Sequence, residues 1–497
     1  MNIMKRNIWN ICLAFWAIVL VTSCYDDKGN YSYDQLLEVE ITGLVPDKEY
    51  TAFVAEPFQI PITVDVKNGD VSDLSYEWKL EGEVISTKKD LDVIANFPVK
   101  VGMYAQLDII DNKTGVRHIT LFKVSVSSAF KNGWLILSDS GDKSQLSFMR
   151  NDNVFMEDVY YQQNNEYLSA GAYAICEHWL PWSAELGQVF VACQKGPGYS
   201  VELDGNSFFK MINTKDEFVD GIPTDFCPQS MACVMNWDYL ISAGKLYTRE
   251  QPNGMNAQYQ EGAFPNFPVS GDYELLPWII RGNIFFNSDV LAFDKKHCSY
   301  VLLRGGIIRE FNYANDPVKA FNPSNMGKML IGGGAMNIDS YQDEFLTFVQ
   351  DINSRKIYAQ KFKFAGWSAK TYSSIAEVEF PESGLVQEDT KFAVCAGRKY
   401  AYFTSGKNLY VYNHEDNLVS LLREFPTKIR EIALCATNYE RLAVAVENAG
   451  DASKSDFMIL DVSVVGKGQL VEGTEIKGKC GRVVDIVYKI GDQGEVM

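Results

Sequence analysis

The chain has 497 residues, with 46 lysines and arginines against 64 aspartates and glutamates, so its formal net charge is −18. An acidic surface of this kind repels phosphate backbones, which argues against nucleic acid as a partner. Hydrophobic residues make up 46% and aromatic residues 13% of the chain, which is enough for a sizeable core in two or three domains.

The first residues have the pattern of an export signal. An apolar run from Ile8 to Val21 follows Lys5 and Arg6. A short apolar run behind positive charges is typical of a secretory signal, and it is too short to span a bilayer comfortably. The run ends at Val21-Thr22-Ser23-Cys24, which resembles the bacterial lipobox. The alternative is a plain signal peptide with a chance cysteine at its end.

The lipobox resemblance implies that residues 1–23 are removed and that Cys24 is lipidated. Residues 24–37 are polar at first and are interpreted as a tether between the lipid and the first folded domain. Asp26 and Asp27 directly follow the cysteine and resemble the surface-export signal of lipoproteins in the Bacteroidota. We therefore expect a lipid-anchored protein of the outer membrane, facing the cell surface.

Residues 38–128 read as short strands separated by turn signals. Residues 58–66 alternate between apolar and polar for nine positions, as a half-buried strand requires. Tyr76-Glu77-Trp78 places two aromatic side chains on one strand face, and Asn112-Lys113-Thr114-Gly115 is a turn. Strands at this spacing without a helical pattern predict a β-sandwich. The Y-x-W strand and the following turn resemble the PKD-type immunoglobulin-like domain, with Trp78 in its core.

Residues 129–497 repeat a unit of antiparallel strands at intervals of about 40–55 residues, which is the period of a propeller blade. Equivalent second strands are predicted to start near residues 134, 189, 239, 290, 345, 401 and 442. Seven copies predict a seven-bladed β-propeller, with six or eight blades as alternatives. The last strand, residues 483–488, is expected to share a closing blade with residues 134–137, which would remove the free sheet edges.

Eight cysteines follow residue 170, and most of them end or interrupt apolar strands. Free cysteine behaves as a small hydrophobic residue, so these thiols are expected to pack between blades rather than form disulfides. Their spacing lacks CxxC pairs and Cys/His clusters, so we predict neither a metal site nor a cofactor. The run Ile331-Gly332-Gly333-Gly334 is expected to allow close packing near the propeller axis.

No catalytic constellation stands out in the sequence. Four histidines are scattered along the chain, and 64 acidic residues make any pair of carboxylates uninformative by abundance alone. We therefore predict a protein that is not an enzyme.

Binding is better supported, because aromatic residues interrupt the blade pattern in predicted loops. Flat aromatic faces suit sugar rings or extended peptides, and loops on a rigid scaffold commonly carry binding sites. The predicted ligand-binding residues are Trp179, Trp182, Phe267, Tyr273 and Trp278. The alternative is that these side chains cap the hydrophobic ends of blades.

Taken together, the lipobox, the tether, the sandwich and the long all-β region resemble the PKD-like lipoproteins of the Bacteroidota. That resemblance implies an accessory, ligand-binding role beside a TonB-dependent importer and its SusD-like lipoprotein, with a polysaccharide or a peptide as ligand. One alternative is a propeller glycoside hydrolase or lyase that uses paired carboxylates. The other is a structural subunit of the importer that binds no ligand.

Overall fold

The computed structural model describes residues 37–178, 188–196, 198–234, 237–250, 263–281, 290–311, 313, 316–336, 342–365 and 372–490. The chain divides into two compact units, with the boundary between Ser127 and Ser128. Within these residues the only α-helix is α1 (Val159–Asn164), and none is long and apolar enough to cross a membrane. The chain is an all-β protein, as predicted.

The first unit contains nine strands. They are β1 (Glu38–Thr42), β2 (Glu49–Phe53), β3 (Pro57–Ile60), β4 (Thr63–Lys67), β5 (Leu74–Leu80), β6 (Glu83–Ser86), β7 (Leu91–Ile94), β8 (Lys100–Asp111) and β9 (Arg117–Ser127). They form a five-stranded sheet in the order β2-β9-β8-β5-β6 and the pairs β1-β4 and β3-β7. The predicted β-sandwich is confirmed.

One hydrophobic core holds this sandwich together. Trp78 on β5 is completely buried, and its indole N–H donates to the carbonyls of Lys88 and Lys89 at 3.0 and 3.2 Å. The predicted alternation over residues 58–66 is also observed, because Phe58 and every second residue up to Val64 point into the core. Apolar side chains at period two therefore determine which face of these strands is buried.

The second unit is a ring of antiparallel sheets. Blade 1 contains β10 (Gly133–Asp139), β11 (Ser144–Arg150) and β12 (Phe155–Met156); blade 2 contains β13 (Ala172–His178), β14 (Gln188–Cys193), β15 (Val201–Leu203) and β16 (Lys210–Asn213); and blade 3 contains β17 (Pro228–Val234), β18 (Trp237–Ser242) and β19 (Lys245–Glu250). Blade 4 contains β20 (Leu275–Arg281), β21 (Val290–Asp294), β22 (Ser299–Arg304) and β23 (Ile307–Glu310), and blade 5 contains β24 (Lys328–Ala335), β25 (Gln342–Asp351), β26 (Ile357–Ala365) and β27 (Tyr372–Glu379). Blade 6 contains β28 (Phe392–Val394), β29 (Tyr400–Ser405), β30 (Asn408–Asn413) and β31 (Leu418–Glu424), and blade 7 contains β32 (Ile429–Leu434), β33 (Arg441–Glu447), β34 (Lys454–Asp461) and β35 (Gln469–Leu470). The last strand, β36 (Ile476–Lys489), belongs to two blades.

Seven blades are present in the described part of the second unit, which confirms the predicted propeller. The strands predicted near residues 134, 189, 239, 290, 345, 401 and 442 are β10, β14, β18, β21, β25, β29 and β33, the second strand of each blade. The inner strands β13, β17, β20, β24, β28, β32 and the end of β36 each lie against their neighbours and complete a ring. They surround a central channel.

The ring is closed by β36. Its first part pairs with β34, with Lys454 opposite Gly481, and so forms the outer edge of blade 7. Its second part pairs with β10 from Gly133 opposite Lys489 to Asp139 opposite Arg482, and so forms the inner strand of blade 1. The predicted pairing of the last strand with residues 134–137 is confirmed.

Small residues allow the inner strands to approach one another. A side chain at Gly332 of β24 would lie 2.5 Å from the ring of Phe392 in the next blade. The predicted close packing at this glycine run is therefore confirmed. The cysteines act in the same way, because Cys193, Cys233, Cys395, Cys435 and Cys480 are all buried and free.

Closure of the ring is expected to dominate the stability of the second unit. Trp134 of β10 is 3% exposed and packs edge-on against Tyr488 of β36, with ring centroids 5.0 Å apart. Trp134→Ala should lower the free energy of unfolding by about 3–5 kcal/mol, because it removes a large buried side chain from the closing pair. Urea unfolding measures the loss.

Val465→Ala is the control for this prediction, because Val465 is 88% exposed. A substitution at such a site should change the free energy of unfolding by less than about 0.5 kcal/mol. Equal effects of the two substitutions would contradict the view that Trp134 anchors the closing strand.

Candidate functional site

The aromatic residues predicted to bind ligand do not form a common platform in the described structure. Trp179 and Trp182 lie outside the described residues, as does the predicted lipidation site Cys24. Phe267 is 68% exposed in the segment before β20. Tyr273 is buried, and its hydroxyl donates to the carbonyl of Val269 at 2.6 Å, so this ring packs between blades 3 and 4 instead of facing solvent.

Trp278 lies on β20, the inner strand of blade 4. Its side chain is partly buried and packs against a core cluster shared with blade 5. Among the described residues no ring contact joins Trp278 to Phe267 or Tyr273. These three residues are therefore separate features, and only Phe267 offers a largely exposed ring.

The central channel instead brings together charged side chains from distant parts of the chain. Lys391 directly precedes β28, Glu431 lies on β32, and Asp485 lies on the second part of β36. Tyr173 on β13 lies across the channel within electrostatic range of Lys391. We call Lys391, Glu431 and Asp485 the channel triad.

Lys391 and Glu431 form an ion pair inside the channel. The Nζ of Lys391 lies 2.6 Å from Oε2 of Glu431, and the side chains are 38% and 11% exposed. Burial alone would lower the pKa of Lys391, but the charge of Glu431, its hydrogen bond and the charge of Asp485 raise it. Burial raises the pKa of Glu431, and Lys391 only partly opposes this. The lysine therefore stays charged at neutral pH.

Asp485 is the third member of the triad. The backbone N–H of Ile175 donates to its Oδ2 at 2.7 Å, which satisfies a donor on the channel-facing edge of β13. Burial and then the neighbouring charge of Glu431 raise the pKa of Asp485 to about 7. The buried Glu431, the half-buried Asp485 and one lysine thus share part of the channel wall, and removing a carboxylate from water favours its neutral form.

A cavity of ≈ 370 Å³ lies inside the channel. Its wall is formed by the inner strands of blades 1, 2, 3, 4 and 7. Most of the lining residues are apolar, with Ile175, Met231, Ala433, Ile486 and Val487 among them, while polar and apolar atoms face the cavity in about equal measure. No member of the channel triad lines this cavity, but two residues that do, Ile175 and Ile486, adjoin Asp485 by hydrogen bond and by sequence. Concave apolar sites with a few convergent polar groups are where small ligands usually bind.

A second cavity, of ≈ 490 Å³, lies where blade 7 meets blade 1. Its charged residues include Lys454, Lys479 and Arg482 on one side and Asp139 and Glu157 on the other. Arg482 lies 3.8 Å from Asp139, and the basic side chains are solvent-exposed. Charges that remain in water interact weakly, so this cleft is a poorer candidate than the channel.

Another charge cluster is sealed between blades 2 and 3. Arg249 forms ion pairs with Glu202 at 2.8 Å, with Asp238 at 2.6 Å and with Glu217, and all four side chains are at most 1% exposed. The guanidinium also lies over the ring of Phe264, 4.5 Å from its centroid. No ligand reaches groups that are fully enclosed, so this cluster is structural.

No group of three or more histidine, cysteine, aspartate or glutamate side chains suited to a metal ion is found in the described ranges. Sequence reasoning missed the channel triad. A weak signal existed at Asp485, which interrupts the otherwise apolar residues 483–488, whereas Glu431 stands beside Arg430 in Ile429–Leu434 and does not stand out. A charge in such a strand needs a special environment, and that is the only sequence clue to the site.

The N-terminal part of this chain matches the PKD-like family. The match covers residues 24–171 and so includes the sandwich and the first strands of the propeller. No curated protein matches the chain.

The chain is also similar in structure to several solved proteins. A quinonprotein alcohol dehydrogenase-like protein from Bacteroides thetaiotaomicron is 11% identical in sequence. The superposition covers 90% of this chain and 97% of that protein, with a TM-score of 0.42. A putative 6-phosphogluconolactonase from Bacteroides fragilis is 11% identical, with coverages of 72% and 98% and a TM-score of 0.44. The Cps50 (Swd1) β-propeller domain of Myceliophteria thermophila is 12% identical, with coverages of 67% and 96% and a TM-score of 0.39. The blade count above rests on the sheets of this chain, and no activity follows from these similarities.

The raised pKa of Asp485 makes a prediction about stability. Its folded pKa of about 7 lies above the ordinary 3.8, so its contribution to stability is full below pH 3.8 and is lost as the pH rises through 7. Asp485→Asn cannot ionise and can still accept the Ile175 hydrogen bond. At pH 8 this variant should be more stable than the wild type by as much as about 4 kcal/mol, and the difference should vanish near pH 4. Urea unfolding across this pH range measures it.

Asp461→Asn is a control that should change the free energy of unfolding at pH 8 in the opposite direction. Hydrogen bonds from the side chain and backbone of Ser463 lower the pKa of Asp461, so its ionised form stabilises the fold above the ordinary pKa, and this is lost on acidification. This variant should be less stable than the wild type at pH 8. If Asp485→Asn behaved in the same way, Asp485 would not be an enclosed, electrostatically strained carboxyl group.

Proposed function

We propose that this chain is a lipid-anchored protein of the bacterial outer-membrane surface that binds a ligand in its propeller channel. In this proposal it is an accessory component of a TonB-dependent importer with a SusD-like partner, and it is not an enzyme. The lipobox-like tetrad that ends at Cys24 and the match of residues 24–171 to the PKD-like family support the proposed location at the membrane surface. The channel cavity beside the triad is the single observation that supports binding.

The size of the cavity limits the kinds of ligand that can bind in it. A space of ≈ 370 Å³ accommodates a small molecule or the end of a chain, but not a run of sugar rings. Only one of the three described aromatic candidates, Phe267, is largely exposed. The proposal therefore moves the binding site from aromatic loops to the channel, and it favours a peptide or another small compound over a long polysaccharide.

One observation favours a second function. Glu431 and Asp485 are neighbouring carboxyl groups in one channel, and a carboxyl group with a pKa of about 7 can donate and accept protons at neutral pH. A hydrolase would need one of them on each side of the bond to be cleaved. Glu431 is held by Lys391, so binding remains the preferred proposal. Release of reducing ends or amines from glycans or peptides by the purified wild type, and not by Glu431→Gln, would favour the enzyme.

The anchor is tested first. Cys24→Ala removes the thiol that would receive the lipid, so the protein should move from the membrane fraction to the soluble fraction of a cell lysate. Cys12→Ala lies within the predicted signal and should leave the protein in the membrane. Immunoblots of the two fractions measure both variants, and membrane retention of Cys24→Ala would contradict the lipid anchor.

The partners and the ligand are tested together by affinity purification. A C-terminally tagged chain, purified from gently solubilised outer membranes, should carry an importer, its SusD-like lipoprotein and a small molecule, all detected by mass spectrometry. Ala436 lies on the wall of the channel cavity, and Ala436→Phe would occupy that space. This variant should retain the protein partners and lose the small molecule.

Ala452→Phe is the control, because Ala452 is exposed in the loop before β34 and does not line the cavity. Equal thermal midpoints would show that both variants are folded. Recovery of the importer with no small molecule from the wild type would favour the structural-subunit alternative. Recovery of neither would contradict the accessory role.

A further inference from the structure

The channel triad is unbalanced in charge. It contains two carboxyl groups, Glu431 and Asp485, and one cation, Lys391, which is bonded to Glu431 at 2.6 Å. No described side chain lies within ion-pair distance of Asp485, and its carboxylate accepts hydrogen bonds from neutral backbone N–H groups, that of Ile175 at 2.7 Å and that of Ile486. The charge of Lys391 also acts on the half-buried Asp485, but this lysine is bonded to Glu431, so two carboxyl groups share one cation. A proton or a cation from outside the chain would balance the second carboxylate.

Within the described part of the propeller, Lys391 is the cation whose charge acts on Asp485. The charged and titratable groups that face it are Glu431 and Lys391, with Tyr173 farther across the channel. Glu177, on the same strand as Tyr173, adds a further carboxyl group to the cavity wall. Both carboxylate oxygens of Glu177 accept from the backbone N–H of Ile490, at 3.1 and 3.0 Å. The charge imbalance that bears on a ligand is therefore that of the channel triad, and it disfavours an anion there.

Space for the remainder of a ligand lies next to this carboxyl group. Ile175, Ile486 and Val487 are immediate neighbours of Asp485 by hydrogen bond or by sequence, and all three line the ≈ 370 Å³ cavity. Met231 and Ala433 continue the apolar wall. A ligand with its charged end at Asp485 would thus place an adjoining apolar group in the cavity and remove it from water.

We propose that the channel ligand carries an ammonium group that pairs with Asp485 and an adjoining apolar group that fills the cavity. This inference rests on the proposed function and names the chemistry of its ligand. A free peptide N terminus that begins with an apolar residue has this chemistry, and so does a small alkylamine. Neutral sugars lack the charge, and fatty acids carry the opposite one.

The inference is tested by calorimetric titration of the full-length protein at pH 8 with two sets of probes. The first set is hexylamine, hexanol and hexanoate, which share one apolar body and differ in the charge of the head. The second is leucyl-leucine amide and its N-acetyl derivative, in which acetylation removes the ammonium charge. We expect the charged amines to bind at least about tenfold more tightly than their neutral or anionic counterparts, because only the amines can form an ion pair with Asp485.

Variants connect the effect to Asp485. Asp485→Asn should weaken amine binding at least about tenfold and leave hexanol unaffected, because it removes only the charge. The control is Asp461→Asn, which lies outside the cavity and should bind like the wild type. The comparison of free and acetylated probes on the wild type needs no variant, so it holds even if a substitution disturbs folding.

The outcomes separate the two proposals. Binding of the dipeptide amide alone would identify a peptide end, and binding of hexylamine alone would identify a small amine, and both support the inference. Equal binding of hexylamine and hexanol would overturn the ammonium inference and leave a ligand-binding channel. Failure of every probe to bind at millimolar concentration would overturn the inference and the channel-binding proposal together.

Discussion

The pairing of β36 with β10 is the interaction on which the second unit depends. A row of sheets built from consecutive hairpins has two free edges, which expose unpaired backbone groups. β36 pairs with both, because it covers β34 of blade 7 opposite Lys454 and then becomes the inner strand of blade 1 opposite Gly133. Closure determines the size of the ring, and the ring determines how closely the seven inner strands approach the axis.

The candidate site is a consequence of that closure. Lys391, Glu431 and Asp485 lie in three successive blades, yet the ring turns them toward one channel. The cluster around Arg249 is a useful contrast, since it has a similar excess of carboxyl groups but is completely enclosed between two blades. Access to solvent and an adjacent cavity, rather than the number of charges, distinguish a candidate binding site from a structural ion cluster.

Sequence reasoning succeeded where a feature depends on a local pattern. Alternation over residues 58–66 predicted which side chains of the sandwich are buried, and the repeat interval predicted the second strand of each blade. The glycine run at residues 332–334 predicted close backbone packing. The sequence was less informative about binding residues. Tyr273 was predicted to be an aromatic residue of a binding loop, but it is buried and its hydroxyl donates to the carbonyl of Val269.

The sequence alone determined the all-β class, the sandwich, the blade period and the match between the first and last strands of the propeller. These features follow from patterns along the chain, since the burial of strand residues repeats every two residues and the blade unit repeats every few tens of residues. Only the tertiary structure decided that residues 391, 431 and 485 meet on one channel wall and that two carboxyl groups there share one cation. Such a meeting depends on how successive blades pack around the axis, and it leaves no local trace beyond a charge at Asp485 in an apolar strand.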